Sequence, residues 1–279
     1  MVAAMNIRAI LLDFDGTSLQ RDQVYVSLKN MHALKGAIDK GIEIIPCTGR
    51  VEDMFPPQIE AEPRIHYWVT SNGGRVVDRA TGEVIYSSLF TPEESARLCR
   101  LFEDQQIYAE IAAEGRIFLE QDVCDRIYDH AVPPHHVWFI EAGRHIPIVH
   151  PSSYFLEHGI GIEKVNLYGV PQEKQQPLID ALWATGLVDI TPGAGKDIQF
   201  FPESQIRADA MDALFRKLGY GFESVMSLGD SILDKPMIQR AAIGVAMGNA
   251  PDDVKAAADY VSAPFDADGV AQAIEKFLL

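Results

Sequence analysis

The first and last thirds of this chain repeat a strand–helix–strand rhythm, and four of the strands run directly into short polar clusters. That pattern constrains the fold more than any other feature. IRAILL (7–12) reads as a buried strand. Ser27 is placed to cap a helix carrying Leu28, Met31, Leu34 and Ile38 at near-helical spacing, with Gly41 as its stop. IEII (42–45) and YWVT (67–70) are further strands, the second ending in the turn-rich SNGG. In the last third a helix from about Arg207 carries Met211, Leu214, Phe215 and Leu218 and stops at Gly219. SVMSL (224–228) follows as a strand, then a helix near 232–241 and the strand IGVAM (243–247). Pro251 suits a first helical turn, and 270–279 reads as a short amphipathic helix. Alternation at this rhythm predicts right-handed crossovers and a parallel sheet.

The middle of the chain has a different texture. Thr91-Pro92-Glu93-Glu94 has the capping-box pattern. IYAEIAAEGRIFLE (107–120) reads as a hairpin, EKVNLYGV (163–170) as a strand, and Leu178, Ile179, Leu182 and Trp183 as the stripe of a helix stopping at Gly186. The Pro- and His-rich stretch 130–151 reads as an irregular loop. These features predict a split α/β core, residues 1–83 and 197–279, with an α+β domain over 84–196 inserted between its halves.

In an open parallel sheet, ligands bind beyond the carboxyl ends of the strands. Here those ends carry Asp13-Phe14-Asp15-Gly16-Thr17, Thr48-Gly49-Arg50, Ser71-Asn72-Gly73 and Gly229-Asp230-Ser231, with Asp234 one helical turn further on. Taken singly, a DxD is more often a turn, a TGR carries little, and Asp230 or Ser231 is a good helix cap. Four such clusters at four strand ends point instead to one pocket. Several carboxylates in one pocket repel one another, and a divalent cation resolves that repulsion. Hard oxygen ligands without a Cys/His cluster favour Mg²⁺. Asp13 and Asp15 need not both reach such a cation with their side chains. One then faces the metal, a backbone carbonyl supplies another ligand, and the second carboxylate is left for proton transfer. Gly16 and Thr17 let the backbone turn and offer N–H groups to an anion.

Charge narrows the partners. Lys and Arg number 24 against 40 Asp and Glu, a net −16. This argues against bulk nucleic-acid binding and against anionic membranes, but not against small anionic substrates beside a bound metal. The three cysteines, Cys47, Cys99 and Cys124, form no CxxC pair, which fits a reducing compartment. The N-terminus lacks the basic leader of a signal peptide, and no apolar run approaches the ~18 residues of a membrane span. A soluble, cytoplasmic protein is expected.

DFDGT (13–17), TGR (48–50), SNGG (71–74), GDSILD (229–234), GVAMGNAPDDVKAAADYV (244–261) and DADGVAQAI (266–274) together resemble the haloacid dehalogenase-superfamily phosphatases of the Cof-like type. The resemblance covers both core segments, and the cap matches only in general pattern. It implies a Rossmann-like parallel-sheet core with an inserted α+β cap, and residue roles as follows. Asp13 is the nucleophile that forms an aspartyl-phosphate. Asp15 protonates the leaving oxygen and then activates water. Thr48 hydrogen-bonds the phosphoryl group, with Gly16, Gly49, Arg50 and Asn72 also on the phosphate side. Asp230 ligates Mg²⁺ with Asp13 and the carbonyl of Asp15, Asp234 supports that site, and Asn249 lies near the metal or cap entrance. Two positions depart from the family pattern. Arg207 stands where a lysine is usual, keeping the charge but changing its geometry, with Lys196 a weaker substitute. Leu233 stands where Asn is common before the last Asp.

The expected activity is a Mg²⁺-dependent phosphatase on a small phosphorylated metabolite, a sugar phosphate foremost. The alternatives are a phosphomutase or phosphotransferase on the same core, and a non-catalytic phosphate-binding protein. A receiver-type signalling domain would be shorter and would leave TGR and the insert unexplained. Six of the eight histidines, His130, His135, His136, His145, His150 and His158, fall in the insert without metal-site spacing and read as loop and surface residues. Pro192-Gly193-Ala194-Gly195-Lys196 lacks the earlier Gly and the following Ser/Thr of a phosphate loop.

Overall fold

The computed structural model describes residues 6–103, 105–130, 132–192, 197–203 and 207–279. The side chains of His135, Pro192 and Arg207 lie outside that description. The chain forms two compact units: Met1–Arg50, Phe55–Tyr86 and Arg207–Leu279 make the first, Val51–Met54 and Ser87–Ile206 the second. Its strands in chain order are β1 (Ala9–Leu12), β2 (Glu43–Pro46), β3 (Tyr67–Thr70), β4 (Arg75–Asp78), β5 (Glu83–Ser87), β6 (Tyr108–Ala113), β7 (Arg116–Glu120), β8 (Ile146–Ile148), β9 (Lys164–Tyr168), β10 (Val188–Pro192), β11 (Ile198–Pro202), β12 (Val225–Gly229), β13 (Ile243–Ala246) and β14 (Tyr260–Val261).

The first unit is built on a five-stranded sheet in the order β14-β13-β12-β1-β2, with every pairing parallel. Both faces are covered, which is why β1 is a continuous apolar run and its neighbours are largely apolar rather than alternating. In β1, Ile10 and Leu12 pack into one cluster with Leu34, Val270 and Ile274, whereas Ala9 and Leu11 pack into another with Met211, Leu214 and Phe215. Each fully buried leucine or isoleucine is worth roughly 1.5–3 kcal/mol against exposure. Ser27 caps the helix Leu28–Asp39 by accepting the Asn30 amide. Leu28 itself is exposed, so the buried stripe begins a turn later and is carried by Met31, Leu34 and Ala37. A bridge between Cys47 and Val69 sets β3 beside the end of β2, and β3, β4 and β5 form a three-stranded sheet.

The second unit has a six-stranded sheet in the order β10-β11-β9-β6-β7-β8, antiparallel except for the β7–β8 pair. One face packs Ile111, Val165, Leu167 and Phe200 against helices that contribute Leu98, Phe155, Leu178 and Leu182. Thr91 and Glu94 form both halves of the capping box on the helix Pro92–Cys99. Two readings of this region change. The stretch 130–151 is not simply a loop: it contains the helix Pro134–Glu141 and β8. Pro133 and Pro134 stand at the helix start, where a missing N–H costs nothing, and Phe139 and Ile140 are buried. His136 is likewise no surface residue but is 6% exposed. In addition, β11 pairs with β9 and β10, so residue 197 does not begin the second core segment; the chain returns to the first unit at Arg207.

Among the described residues, no helix is long and apolar enough to cross a membrane.

Candidate active site

The register of the parallel sheet brings the polar clusters together. Leu12 of β1 is level with Pro46 of β2 on one side and with Leu228 of β12 on the other. The ladder continues one step: the Asp13 amide donates to the Leu228 carbonyl at 3.2 Å, and the Cys47 amide to the Leu12 carbonyl at 2.9 Å. Asp13, Thr48 and Asp230 therefore leave the sheet at nearly the same height along three adjacent strands.

After Asp13 the chain makes a wide turn over Phe14–Ser18, closed by the Leu19 amide donating to the Phe14 carbonyl. Phe14 plugs into the core against Phe55. Gly16 takes φ 76°, and a Cβ there would collide with the Asp230 carboxylate, so glycine is needed both for the turn and for the close approach. Asp230 accepts from the Thr17 hydroxyl at 3.2 Å and from the Asn249 amide nitrogen at 3.1 Å. That Asn249 nitrogen also donates to the Gly16 carbonyl at 2.8 Å, and the Asn249 carbonyl oxygen accepts the Phe265 amide. Asp234 is 1% exposed and folds back beneath Asp230: its Oδ2 accepts both the Asp230 and Ser231 amides and the Ser231 hydroxyl at 2.7 Å. Gly229 makes room for this, since a Cβ there would strike the Asp234 side chain. The loop is tied by Ser231, and Leu233 is half-buried beside it.

Carboxylate oxygens of Asp13, Asp230 and Asp234 lie within 4.8 Å of one another. Burial, and then the neighbouring Asp234 charge, push the Asp230 carboxyl up to about 6, with the Thr17 hydrogen bond opposing them. Three carboxylates so close together, with charge on Asp230 disfavoured by burial and by the Asp234 charge, suit a divalent cation.

The other predicted residues divide. Thr48 is 1% exposed and stitched to the end of β3: its amide donates to the Val69 carbonyl, its carbonyl accepts the Asn72 amide, and the Arg50 carbonyl accepts the Ser71 amide. Ser71 and Asn72 both adopt left-handed backbone, φ 52° and 59°, a conformation that Asn tolerates better than Ser. Gly49 leaves space for the Asn72 carbonyl oxygen, which would lie 2.8 Å from a Cβ. The Asp15 side chain does not join the metal trio; it pairs with Arg50, at 2.8 and 2.5 Å. The setting is local: Asp15 (φ −72°, ψ 118°) sits inside the wide turn, between Phe14 and the left-handed Gly16, rather than in a continuing strand, where residues two apart would share a face with Asp13. Arg207 opens the helix Arg207–Leu218, but its side chain, like Lys196, lies outside the described residues. Thr17 and Ser231 brace the acids through their hydroxyls, a role beyond the backbone N–H of Thr17 and the strand-end position of Ser231 that the sequence points to. Their signal was a hydroxyl side chain close to an acid at a strand end.

The profile of the haloacid dehalogenase-like hydrolases matches residues 10–274. A Bacillus subtilis protein named 5-amino-6-(5-phospho-D-ribitylamino)uracil phosphatase is 26% identical over 278 residues, spanning 99% of this chain and 97% of its own. A haloacid dehalogenase-like hydrolase from Bacteroides thetaiotaomicron superposes with a TM-score of 0.81 at 24% identity, over 97% of this chain and 99% of that one. A subclass IIB sugar phosphatase of the superfamily gives 0.74 at 25% identity, over 97% and 98%. The strand-end acids thus sit in a chain that belongs to the haloacid dehalogenase-like hydrolases and, within them, to the Cof-like phosphatases, enzymes that hydrolyse phosphoric monoesters.

Proposed function

We propose that this chain is a Mg²⁺-dependent phosphatase of a small phosphorylated metabolite, with a sugar phosphate as the leading class, and that it works through an aspartyl-phosphate on Asp13. The observation that carries the reading is the meeting of Asp13, Asp230 and Asp234 at the ends of β1 and β12. The relatives support the substrate class: a ribityl phosphate and a sugar phosphate are both phosphate esters of hydroxyl-rich carbon chains.

Asp13, Asp230, Asp234 and the backbone carbonyl of Asp15 would hold the Mg²⁺, whose charge lets a dianionic phosphate approach an anionic nucleophile. In the first step an Asp13 carboxylate oxygen bonds to phosphorus, the P–O ester bond breaks, and the departing oxygen takes the Asp15 proton. In the second, Asp15 takes a proton from water as its oxygen attacks phosphorus, which frees inorganic phosphate and restores Asp13. Splitting one displacement in two lowers each barrier. The Thr48 hydroxyl, the Asn72 side-chain carboxamide and the backbone N–H groups at Gly16 and Thr17 steady the phosphoryl oxygens. Arg207 supplies the positive charge that a lysine gives elsewhere in the family. The second unit serves as the cap that selects the leaving group. The free cysteines Cys47, Cys99 and Cys124 and the net −16 charge fit a cytoplasmic enzyme with a small-molecule rather than a nucleic-acid partner.

Purified protein with Mg²⁺ should release phosphate from an aryl phosphate and from sugar phosphates. Asp13→Asn should lose that activity by roughly 10⁴-fold or more. An Asp13→Asn protein as active as the parent would refute the assignment.

A further inference from the structure

Arg50 reads from sequence as a phosphate ligand, but its guanidinium is turned onto a neighbour. Nε donates to Asp15 Oδ2 at 2.8 Å and Nη2 to Asp15 Oδ1 at 2.5 Å, a two-pronged grip on one carboxylate. Arg50 is buried, with 9% of its side chain exposed, whereas the Asp15 side chain is 44% exposed. The buried fork restricts the rotamers of a half-exposed carboxylate on a turn. The same Nη2 also donates to the Gln23 carbonyl at 2.8 Å.

Gln23 lies at the tip of a hairpin that a Leu19–Val26 bridge and a Gln20 amide to Tyr25 carbonyl bond close at its base. Its backbone is left-handed, φ 55°, and its amide donates to the Gln20 carbonyl. The exposed Asp22 side chain holds the tip by accepting the Val24 and Tyr25 amides at 2.9 and 3.0 Å. A single guanidinium therefore joins the hairpin tip to the carboxylate of Asp15.

We propose that Arg50 is a positioning residue that fixes the Asp15 carboxylate, and that it ties the aim of that carboxylate to the order of the hairpin Leu19–Val26. This rests on the reading of Asp15 as proton donor to the leaving oxygen. Arginine rather than lysine is required, because only a planar fork can hold both carboxylate oxygens and still reach a third acceptor. In the step concerned, the Asp15 proton passes to the bridging ester oxygen as the P–O bond breaks and the Asp13–phosphorus bond forms.

The test compares kcat/KM with Mg²⁺ for p-nitrophenyl phosphate, whose leaving group departs without a proton, and glycerol phosphate, whose alkoxide needs one. This ratio reports events up to the first phosphoryl transfer, so later steps do not mask it. Asp15→Asn defines the signature, a selective loss on the alkyl ester. Arg50→Ala should copy it, lowering the alkyl-to-aryl ratio by about tenfold or more, a fraction of the 10²–10⁴ a general acid supplies. Arg50→Lys should recover only part of that loss, and KM for either ester should stay within about threefold, since uniform binding is untouched. Asp22→Ala, which loosens only the hairpin tip, should lower the same ratio by about twofold to threefold, in keeping with the loss of two exposed hydrogen bonds.

Equal losses on both esters with a raised KM would make Arg50 a phosphate ligand and overturn the proposal, as would an unchanged ratio. An unchanged ratio in Asp22→Ala would overturn the link to the hairpin. If Arg50→Ala does not fold, Arg50→Lys and Asp22→Ala still decide the matter. If Asp15→Asn itself shows no selective loss, the proton-donor reading fails and this inference falls with it. A selective loss in Asp15→Asn that the Arg50 variants do not share sinks the inference alone.

Discussion

Two carboxylates, one in each unit and one buried while the other is partly buried, meet opposite electrostatic fates. Glu110 on β6 is buried to 1% exposure, and its Oε1 accepts the Tyr108 hydroxyl and pairs with His136 Nδ1. Burial pushes the Glu110 carboxyl up, but the charge and hydrogen bond of His136, with help from Tyr108 and Lys164, hold it below its usual 4.5. In the first unit, burial and the charge of Asp234 push Asp230 up to about 6, and the hydrogen bond from Thr17 does not reverse this. Glu110 has its countercharge within the fold, whereas Asp230 is left to seek one from outside. The comparison shows how to tell a structural acid from a candidate ligand: loss of solvent raises both carboxyls, and the partners differ.

The largest effect should come from removing the external countercharge or its holder. Chelating divalent cations, or Asp230→Asn with Mg²⁺ present, should each cut phosphate release on the order of 10³-fold or more. Full activity in chelator would break the comparison at its centre. Next in size is the internal pair. His136→Ala leaves Glu110 buried without its main partner and should cost about 3–5 kcal/mol in denaturant unfolding. A loss below about 1 kcal/mol would show that the pair is dispensable. Because the folded Glu110 carboxyl is lowered from 4.5, its contribution is present above that pH and should fade as the solution is acidified below it.

Asp230 should show the reverse sign. A carboxyl raised from 3.8 to about 6 favours its protonated form in the fold, so its contribution to metal-free stability is intact below pH 3.8 and is lost as pH rises through about 6. Asp230→Asn should therefore stabilise the metal-free protein at pH 8 by about 1–2 kcal/mol after discounting for partial exposure, while abolishing stabilisation by Mg²⁺. By the same linkage, cation affinity should weaken as pH falls through about 6, which titration calorimetry at several pH values would measure. The smallest effect is local to the second unit: Thr91→Ala removes half of the capping box and should cost about 1 kcal/mol, read by thermal melts.

The first unit was the more legible in sequence because its strands are parallel and buried on both faces. AILL (9–12) is an unbroken apolar run and SVMSL a largely apolar one, and Asp13 and Asp230 stand just past them, so one rule about strand ends points to the candidate site. What escaped notice depends on side-chain direction. The Asp15 carboxylate is held by Arg50, 35 residues further on, and no spacing rule encodes that pairing. The second unit was harder because its short elements are set by tertiary burial. The helix Pro134–Glu141 looked like loop because prolines and histidines mask the apolar Val137-Trp138-Phe139-Ile140. Glu110 and His136 stand far apart in sequence, and nothing local marks either as the other's partner.

The most direct test of the account is chemical trapping on Asp13. Protein mixed with Mg²⁺ and a sugar phosphate it turns over would be quenched in acid within the first turnovers, digested, and read by mass spectrometry. The account predicts a phosphoryl group on the peptide carrying Asp13, formed as fast as turnover and absent from Asp13→Asn. Turnover with the phosphoryl group on another residue, or with none on the protein at any quench time, would contradict it.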